Sequence, residues 1–336
     1  MKPTTRIATL ADIWLAEVRL RGHLAPSTLA AYEYQLDRSG NRRTRPGTIK
    51  IKPTIGNLTV REANTARMND YMVMLMERGH TAKAAQHWSI LAAMFDTARR
   101  HGALDHNPMN GTLKPVRSHD DPHVLPHSVF DAFQEQVAAW CRGADIPGTL
   151  GPRNGHTRDD RIYWIIQLLR DTGVRPGELL GFRIQDLELD AAVPGIWVRG
   201  KIEDLGADVG WRWRPGTKTG SKGIRRLALT PRGIDAVRHL LAYGISSDDN
   251  LLIPSPRGKG WSLHNFEHLW RAVRGSTFTE ITPTQIRHRV GTDVRDIYGI
   301  EAASAQLGNS PLVAARYYAA RNLEVDNRAA LEQTTA

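Results

Sequence analysis

Apolar residues recur at helical spacing in the first twenty positions of the chain. Leu10, Ile13, Trp14, Val18 and Leu20 form a stripe of this kind. Polar and charged residues stand between them, so the stripe has one apolar side and one solvated side. This pattern predicts an amphipathic helix close to the N-terminus.

Two more helices are predicted from start and stop signals. Pro26 suits the first position of a helix that runs through Leu36. Thr59 and Glu62 stand three residues apart, which is the spacing of a capping box. An apolar stripe follows them, and Gly79 is expected to end that helix.

The next predicted helix, which Thr81 can cap, combines apolar and basic faces. Its apolar stripe consists of Trp88, Leu91, Ala92 and Phe95. Its other faces carry Lys83, His87, Arg99 and Arg100. A solvated face explains any one of these charges, whereas their concentration in a small helical bundle suggests a surface that faces phosphates.

A polar, Pro-rich stretch separates this helical region from the rest of the chain. We place a linker at residues 108–126, between a helical domain at 1–107 and a second domain at 127–336. A second polar stretch rich in Gly and Pro, at 143–157, predicts a surface loop between two helices.

The second domain mixes helices with short strands. Helical patterns cover 161–169, 231–243, 262–274 and the region from 282 almost to the end, and a strand is predicted at 196–198. Residues 211–214 and 225–229 flank a turn-rich segment, which predicts a β-hairpin or small meander. The fold class predicted for the whole chain is therefore mainly α with a small antiparallel sheet (α+β).

Composition narrows the function classes. The 336 residues suit two domains, and no apolar run approaches the roughly 20 residues of a membrane span. The N-terminus lacks the unbroken apolar centre of a secretory signal. Cys141 is the single cysteine, so an intramolecular disulfide and a Cys-rich zinc site are excluded, and a cytoplasmic location is expected. The net charge of +10 favours nucleic acid, and with it a nucleoid-associated location, although many basic enzymes bind none.

The segment at 171–182 carries the clearest chemical signal. Gly173 permits a turn, Pro176 suits the first helical position, and Glu178 falls in the first turn, where the helix dipole favours a carboxylate. Arg175 then stands at a helix N-terminus with its guanidinium available to an anion. A simple pairing of Arg175 with Glu178 or with the helix terminus is the alternative.

These residues resemble a motif of the tyrosine recombinase, or phage integrase, family. The family segment T-G-x-R-x-x-E-L-x-x-L with its following Asp is matched by Thr172, Gly173, Arg175, Glu178, Leu179, Phe182 and Asp186. Further resemblances follow in chain order at 217–229, 281–288, 307–310 and 316–318. The likeness covers residues from about 8 to 322, and the N-terminal region is similar to the family's helical, SAM-like core-binding domain.

The resemblance implies a catalytic set for DNA strand exchange. Tyr318 would attack a DNA phosphodiester, and the guanidiniums of Arg175 and Arg287 would hold the negative charge that develops, because each offers a bidentate fork to phosphate. Lys218 would give a proton to the 5′-hydroxyl leaving group. The 3′-phosphotyrosine link conserves bond energy, so no cofactor and no metal are expected. The sequence contains neither a G-x-x-x-x-G-K-[ST] loop nor a carboxylate cluster suited to Mg²⁺.

Two positions depart from the family pattern. Thr284 stands where the family has a histidine three residues before the second arginine, and Asn309 replaces the histidine or tryptophan of the L-G-H segment. Both are kept as candidate catalytic residues, since each can form hydrogen bonds, but Thr284 cannot act as a base near neutral pH. His288 is a possible proton acceptor, although a role in packing is the better interpretation.

The nucleophile has two candidates. Tyr318 is nine residues after Asn309, the spacing of the family, and is preferred. Tyr317 is adjacent and would point roughly 100° away on a helix. A third interpretation takes both as packing aromatics.

The implied partners are double-stranded DNA at attachment or core-type sites, further copies of the chain in a homo-tetramer on DNA, and accessory directionality or DNA-bending factors. No membrane partner is expected. No arm-type DNA-binding module is expected either, since so few residues precede position 8. The tail at 323–336 either docks on a neighbouring protomer, as in the family, or is a frayed terminus.

The function predicted from this resemblance is site-specific recombination, with integration of a phage or other mobile element as its leading form. One alternative is a degenerate relative that binds DNA without cutting it, which Thr284 and Asn309 suggest. The other is a type IB topoisomerase, which uses the same tyrosine chemistry.

Overall fold

Helices dominate the structure, a computed structural model, and two small antiparallel sheets accompany them. The predicted class, mainly α with a small antiparallel sheet, is confirmed. The structure describes residues 1–22, 24–37, 48–116, 124–149, 158–205, 209–217, 220 and 223–317, with the backbone alone for 315–317. Within this described part, no helix has the length and apolar character to cross a membrane. The chain divides into two units, Met1–His119 and Asp120–Ala336.

The first unit is built from helices around one apolar core. Its described helices are α1 (Ile7–Arg21), α2 (Pro26–Leu36), α3 (Ile51–Ile55), α4 (Thr65–Glu77) and α5 (Thr81–Arg100). Leu10, Trp14 and Val18 of the predicted stripe are buried in this core. Leu20 is not part of it and is 88% exposed, because two residues after Val18 the helix has turned through about 200°.

Two helix starts differ from the prediction. Thr59 and Glu62 do exchange hydrogen bonds, since Thr59 N donates to Glu62 Oε2 at 2.9 Å and Glu62 N donates to Thr59 Oγ1 at 3.2 Å. This pair closes a turn, however, and α4 starts later with Asn64 as its cap. Thr81 is the first residue of α5 and does not cap it; the cap position belongs to His80.

His87 does not contribute to a phosphate-facing surface. Its side chain is fully buried in the first unit, where its ring nitrogens lie 2.7 Å from Tyr71 Oη and 3.0 Å from Gln35 Oε1. Burial, and then the nearby charges of Lys83 and Lys50, lower the pKa of His87 to about 3. The neutral imidazole therefore forms hydrogen bonds inside the first unit and is not part of its charged surface.

The predicted linker at 108–126 begins inside the first unit. Residues Pro108–Gly111 form a 3₁₀ turn, and Met109 is buried in the core of this unit. The Asn107 side chain accepts a hydrogen bond from Met109 N at 3.0 Å and donates one to Ala92 O at 2.8 Å. The domain limits 1–107, 108–126 and 127–336 stay a prediction.

The second unit holds seven described helices around its own core. They are α6 (His127–Cys141), α7 (Arg161–Thr172), α8 (Pro176–Leu179), α9 (Pro231–Ala242), α10 (Leu263–Arg274), α11 (Pro283–Leu307) and α12 (Pro311–Tyr317). The helical run predicted from 282 almost to the end is interrupted. Gly299 has non-helical backbone angles within α11, and Gly308 ends that helix before α12 starts.

The strands do not pair as predicted. One sheet has the order β1 (Leu187–Glu188), β2 (Gly195–Val198) and β5 (Arg225–Ala228), and a second sheet joins β3 (Gly200–Asp204) to β4 (Trp211–Pro215). The hairpin expected between 211–214 and 225–229 is therefore wrong. Both segments are strands, but β4 pairs with β3, which the hydrophobic pattern did not reveal, and β5 pairs with β2.

Candidate active site

Arg175 is placed by the break between α7 and α8. Gly173 ends α7 with φ of 64°, Arg175 is extended as the N-cap of α8, and Pro176 is the first helical residue. These local predictions are confirmed. The guanidinium is paired, because Nη1 donates to Glu178 Oε1 at 2.9 Å and Nη2 donates to Asn309 Oδ1. The pairing with Glu178 that the sequence left open is thus formed.

Glu178 is the negative centre of an arginine cluster. Its side chain is 2% exposed, and its two carboxylate oxygens bond Arg175 and Arg225 separately, at 2.9 and 3.0 Å. Burial by itself would raise the pKa of Glu178, but attraction by Arg225, Arg175 and Arg287 outweighs it and holds the pKa below its usual range. Three guanidiniums therefore face one carboxylate, so the cluster keeps a surplus of positive charge.

Arg287 is buried in α11 beside this cluster. Its Nη1 donates to Gly173 O at 2.8 Å, and its Nη2 donates to Leu307 O at 2.7 Å. Gly173 has no room for a side chain, since a Cβ there would come within 2.7 Å of Val290. The second arginine is thereby fixed against the turn that carries the first.

Asn309 follows the C-terminal end of α11. Its Oδ1 accepts from Arg175, whereas its Nδ2 is shielded from solvent and has no hydrogen-bond partner among the described residues. A buried amide donor without a partner is costly in a folded protein. It is thus a group that can donate to a ligand placed next to Arg175.

Thr284 and His288 are two further candidate residues on α11. Thr284 is exposed near the start of α11, and among the described residues its side chain has no hydrogen bond to the arginines. His288 is half-buried, and burial together with the charge of Arg287 lowers its pKa to about 4. The structure thus joins Arg175 and Asn309 directly and leaves Thr284 apart from them.

Lys218 and Tyr318 lie outside the described residues. The residues that flank Lys218 and its neighbour are described: Thr217 N donates to Gly220 O at 3.2 Å, and Gly220 N donates to Thr217 O at 3.0 Å. The described backbone of α12 reaches Tyr317, the residue before Tyr318.

Sequence reasoning missed Arg225 as a member of the cluster. In the sequence, Arg225 and Arg226 are adjacent in the predicted strand at 225–229, and their spacing does not tell which arginine faces inwards. Strand alternation decides this once β5 is known, because neighbouring side chains of a strand point to opposite faces. Arg225 bonds Glu178, whereas Arg226 bonds the exposed Glu188. In the part of the chain that the structure describes, no group of three or more His, Cys, Asp or Glu could hold a metal ion.

The chain has the fold of several solved integrases. The Tn1549 transposon integrase in complex with a circular intermediate DNA has a TM-score of 0.71 at 17% identity, covering 99% of this chain and 100% of that one. A lambda integrase dimer bound to a core site has a TM-score of 0.63 at 14% identity, covering 96% and 79%. A lambda integrase tetramer bound to a Holliday junction has a TM-score of 0.64 at 12% identity, covering 97% and 81%.

A family model decides the assignment. No curated protein sequence matches the chain. The phage integrase family model matches residues 152–324, which is more than half of the chain and includes both arginines and Asn309. The chain therefore belongs to the phage integrase family of tyrosine recombinases.

Proposed function

We propose that this protein is a site-specific recombinase that cuts and rejoins double-stranded DNA through a covalent 3′-phosphotyrosine, and that it integrates a phage or other mobile element. The observation that carries the proposal is the convergence of the Arg175 and Arg287 segments beside one buried carboxylate. Family membership supports it. The related integrases were solved with DNA, which makes DNA the expected ligand here.

The charge surplus of the cluster suits the cleavage step. Tyr318 loses its hydroxyl proton to solvent, a loss that the neighbouring cations ease. When its oxygen attacks the phosphorus atom, a bond to that oxygen forms while the bond to the 5′-oxygen breaks. Negative charge develops on the non-bridging oxygens, and preorganised guanidiniums next to them lower the barrier. Lys218 protonates the departing 5′-oxygen. Rejoining is the reverse attack by a 5′-hydroxyl on the phosphotyrosine, so it needs no external energy source.

Asn309 and Thr284 complete the set as hydrogen-bonding groups. The buried Nδ2 of Asn309 donates to the phosphate once DNA is bound next to Arg175. Thr284, exposed at the start of α11, donates to the DNA backbone and does not act as a base. His288 is neutral near pH 7, because burial and the charge of Arg287 lower its pKa to about 4, and we assign it no catalytic role.

The assembly we propose is a homo-tetramer on two DNA sites, with accessory directionality or DNA-bending factors. Strand exchange between two duplexes requires four cleavages and therefore four active sites. The lambda integrase tetramer on a Holliday junction is a relative with the same fold in such an assembly. The DNA sites are attachment or core-type sequences.

A nicked suicide substrate tests the proposal. The DNA is the attachment site recovered from the junction of the element and its host chromosome, with a nick close to the cleavage position, so that the short strand diffuses away and the covalent complex accumulates. We expect an adduct with the wild-type protein and none with Tyr318→Phe. Tyr317→Phe is the matched control and should retain the adduct. An adduct that survives in Tyr318→Phe would exclude Tyr318 as the nucleophile.

The suicide substrate and a plasmid-relaxation assay together separate the two alternatives. The isolation of Thr284 from the arginines favours a relative that binds DNA without cutting it, and such a protein would retard the substrate without forming any adduct. A type IB topoisomerase would relax a supercoiled plasmid that lacks the attachment site. A recombinase should form the adduct on its own site and should leave a plasmid that lacks this site supercoiled.

A further inference from the structure

Arg225 connects three segments of the candidate site. From strand β5 its Nη2 donates to Glu178 Oε2 at 3.0 Å, its Nη1 donates to Gly223 O at 2.9 Å, and its Nε donates to Gln306 O at 2.8 Å. Gly223 ends the turn-rich segment that contains Lys218, and Gln306 stands three residues before Asn309. A single side chain thus joins the lysine segment, the Arg175 helix and the end of α11.

The surroundings of Arg225 are shaped for its guanidinium. Its side chain is 10% exposed. A Cβ atom on Gly308 would come within 2.5 Å of Arg225 Nη1, and Gly308 also has φ of 63°, so glycine at this position both ends α11 and makes room for the arginine. Lysine has one nitrogen and cannot reach three oxygens in different directions, whereas the planar fork of arginine can.

The arrangement divides the Glu178 carboxylate between two arginines. Oε1 accepts from Arg175, and Oε2 accepts from Arg225. This division fixes the rotation of the carboxylate and leaves the second nitrogen of Arg175 directed at Asn309. Without Arg225, both carboxylate oxygens are free to turn to Arg175 and to hold it in a bidentate pair, which is the strongest geometry for these groups. A guanidinium held that way is less available to a phosphate.

We propose that Arg225 is a positioning residue for strand cleavage: it holds Glu178, and through Glu178 it sets the guanidinium of Arg175 beside Asn309. The proposal rests on the proposed recombinase function. Arg225 itself need not touch the DNA. Its effect therefore falls on the rate of cleavage and not on DNA affinity.

The first test compares Arg225→Gln with Arg226→Gln, the neighbour on the opposite face of β5. At saturating nicked DNA we expect Arg225→Gln to slow covalent-complex formation about 100-fold, the size of effect that a small misplacement of a catalytic group produces. DNA affinity and the Arg226→Gln rate should stay near wild type. Wild-type cleavage by Arg225→Gln would overturn the proposal. If Arg225→Gln melts below the assay temperature, Arg225→Lys replaces it in the test. Lysine keeps the charge but cannot reach all three oxygens, so this variant should also cleave more slowly than wild type. Cleavage by Arg225→Lys at the wild-type rate would overturn the proposal.

A double-mutant cycle tests the route through Glu178. If Arg225 acts through this carboxylate, Arg225→Gln/Glu178→Gln should be no slower than the slower single variant. Independent roles would multiply the two losses, and that result would overturn the proposal.

A measurement without cleavage distinguishes this proposal from the proposed function. Among the described residues, the charged groups that face Glu178 are Arg175, Arg225 and Arg287. In an NMR titration of the Glu178 carboxyl carbon, Arg225→Gln should raise the Glu178 pKa relative to wild type, and Arg226→Gln should not. An unchanged pKa would show that Arg225 does not hold Glu178. If wild type forms no adduct on any substrate, the recombinase function fails, whereas this titration still decides the role of Arg225.

Discussion

The guanidinium of Arg287 donates a 2.8 Å hydrogen bond to the carbonyl oxygen of Gly173, two residues before Arg175. Its other terminal nitrogen donates to Leu307 O at 2.7 Å, two residues before Asn309. One buried side chain thus fixes the ends of α7 and α11 relative to each other. Arg287 is therefore coupled to Arg175 through the backbone at Gly173, and the position of each arginine depends on the segment that carries the other.

Arg287→Lys should lower both stability and cleavage. A lysine cannot donate to both carbonyls in this geometry, and a buried carbonyl left without its donor costs roughly 1–3 kcal/mol. Urea denaturation measures the loss in the free energy of unfolding. Arg289→Lys is the matched control, because Arg289 lies on the same helix and pairs, among the described residues, with a side chain, Asp293, and not with backbone carbonyls. Equal losses in the two variants would contradict the bridging role of Arg287.

Gly173→Ala should destabilise the protein more than Gly244→Ala. Both glycines end helices with φ of 64°, so alanine meets the same backbone strain of roughly 1–2 kcal/mol at each. Only at Gly173 would the new Cβ collide with Val290 and Leu307, and overpacking adds roughly 1–3 kcal/mol. Thermal unfolding of the two variants gives the difference. A similar melting temperature for both would show that Val290 and Leu307 can move to accommodate the new methyl group at little cost in stability.

The hydrophobic pattern predicted the helices better than the sheets. The apolar spacing predicts α1 and the apolar part of α7, because one face of each helix contacts a core. Strand partners were not predictable in the same way. The sequence pattern predicts strands at 211–214 and 225–229, but it does not specify which strand lies beside which, and β3 has too little alternation of polar and apolar residues to be predicted.

The candidate site shows the same difference between local features, which the sequence predicts, and contacts between distant segments, which it does not. Local signals placed Arg175 correctly, since a turn glycine, a proline and a carboxylate within six residues specify a helix start. Contacts between distant segments escaped the sequence. Arg225 meets Glu178 across 47 positions, and Asn309 meets Arg175 across 134, so only the folded chain brings them together.

The first unit should lose stability as the pH falls below about 6.5. His87 has a folded pKa of about 3, well under its ordinary value, because it is buried and lies near Lys83 and Lys50. Between these two pH values the unfolded chain binds a proton that the folded chain does not, so unfolding is favoured as the pH falls. One such group gives a slope of up to about 1.4 kcal/mol per pH unit.

Urea denaturation between pH 7 and pH 4 measures this slope for the wild type and for His87→Gln. The substituted amide does not titrate, so the slope of that variant should be smaller by the contribution of one histidine. Identical slopes would mean that His87 takes up its proton in the folded protein.

Asn309→Asp should separate stability from catalysis. Aspartate keeps the oxygen that accepts from Arg175 and strengthens that pair by its charge, so the melting temperature should be unchanged or higher. It removes the buried Nδ2 donor and adds a negative charge where the phosphate must bind, so covalent-complex formation should fall about 10²–10³-fold, the range for loss of one oxyanion donor. Asn265→Asp, at an exposed position of α10, controls for added charge alone. If both variants cleave nicked DNA equally fast, the amide of Asn309 takes no part in holding the phosphate, and its hydrogen bond with Arg175 is purely structural.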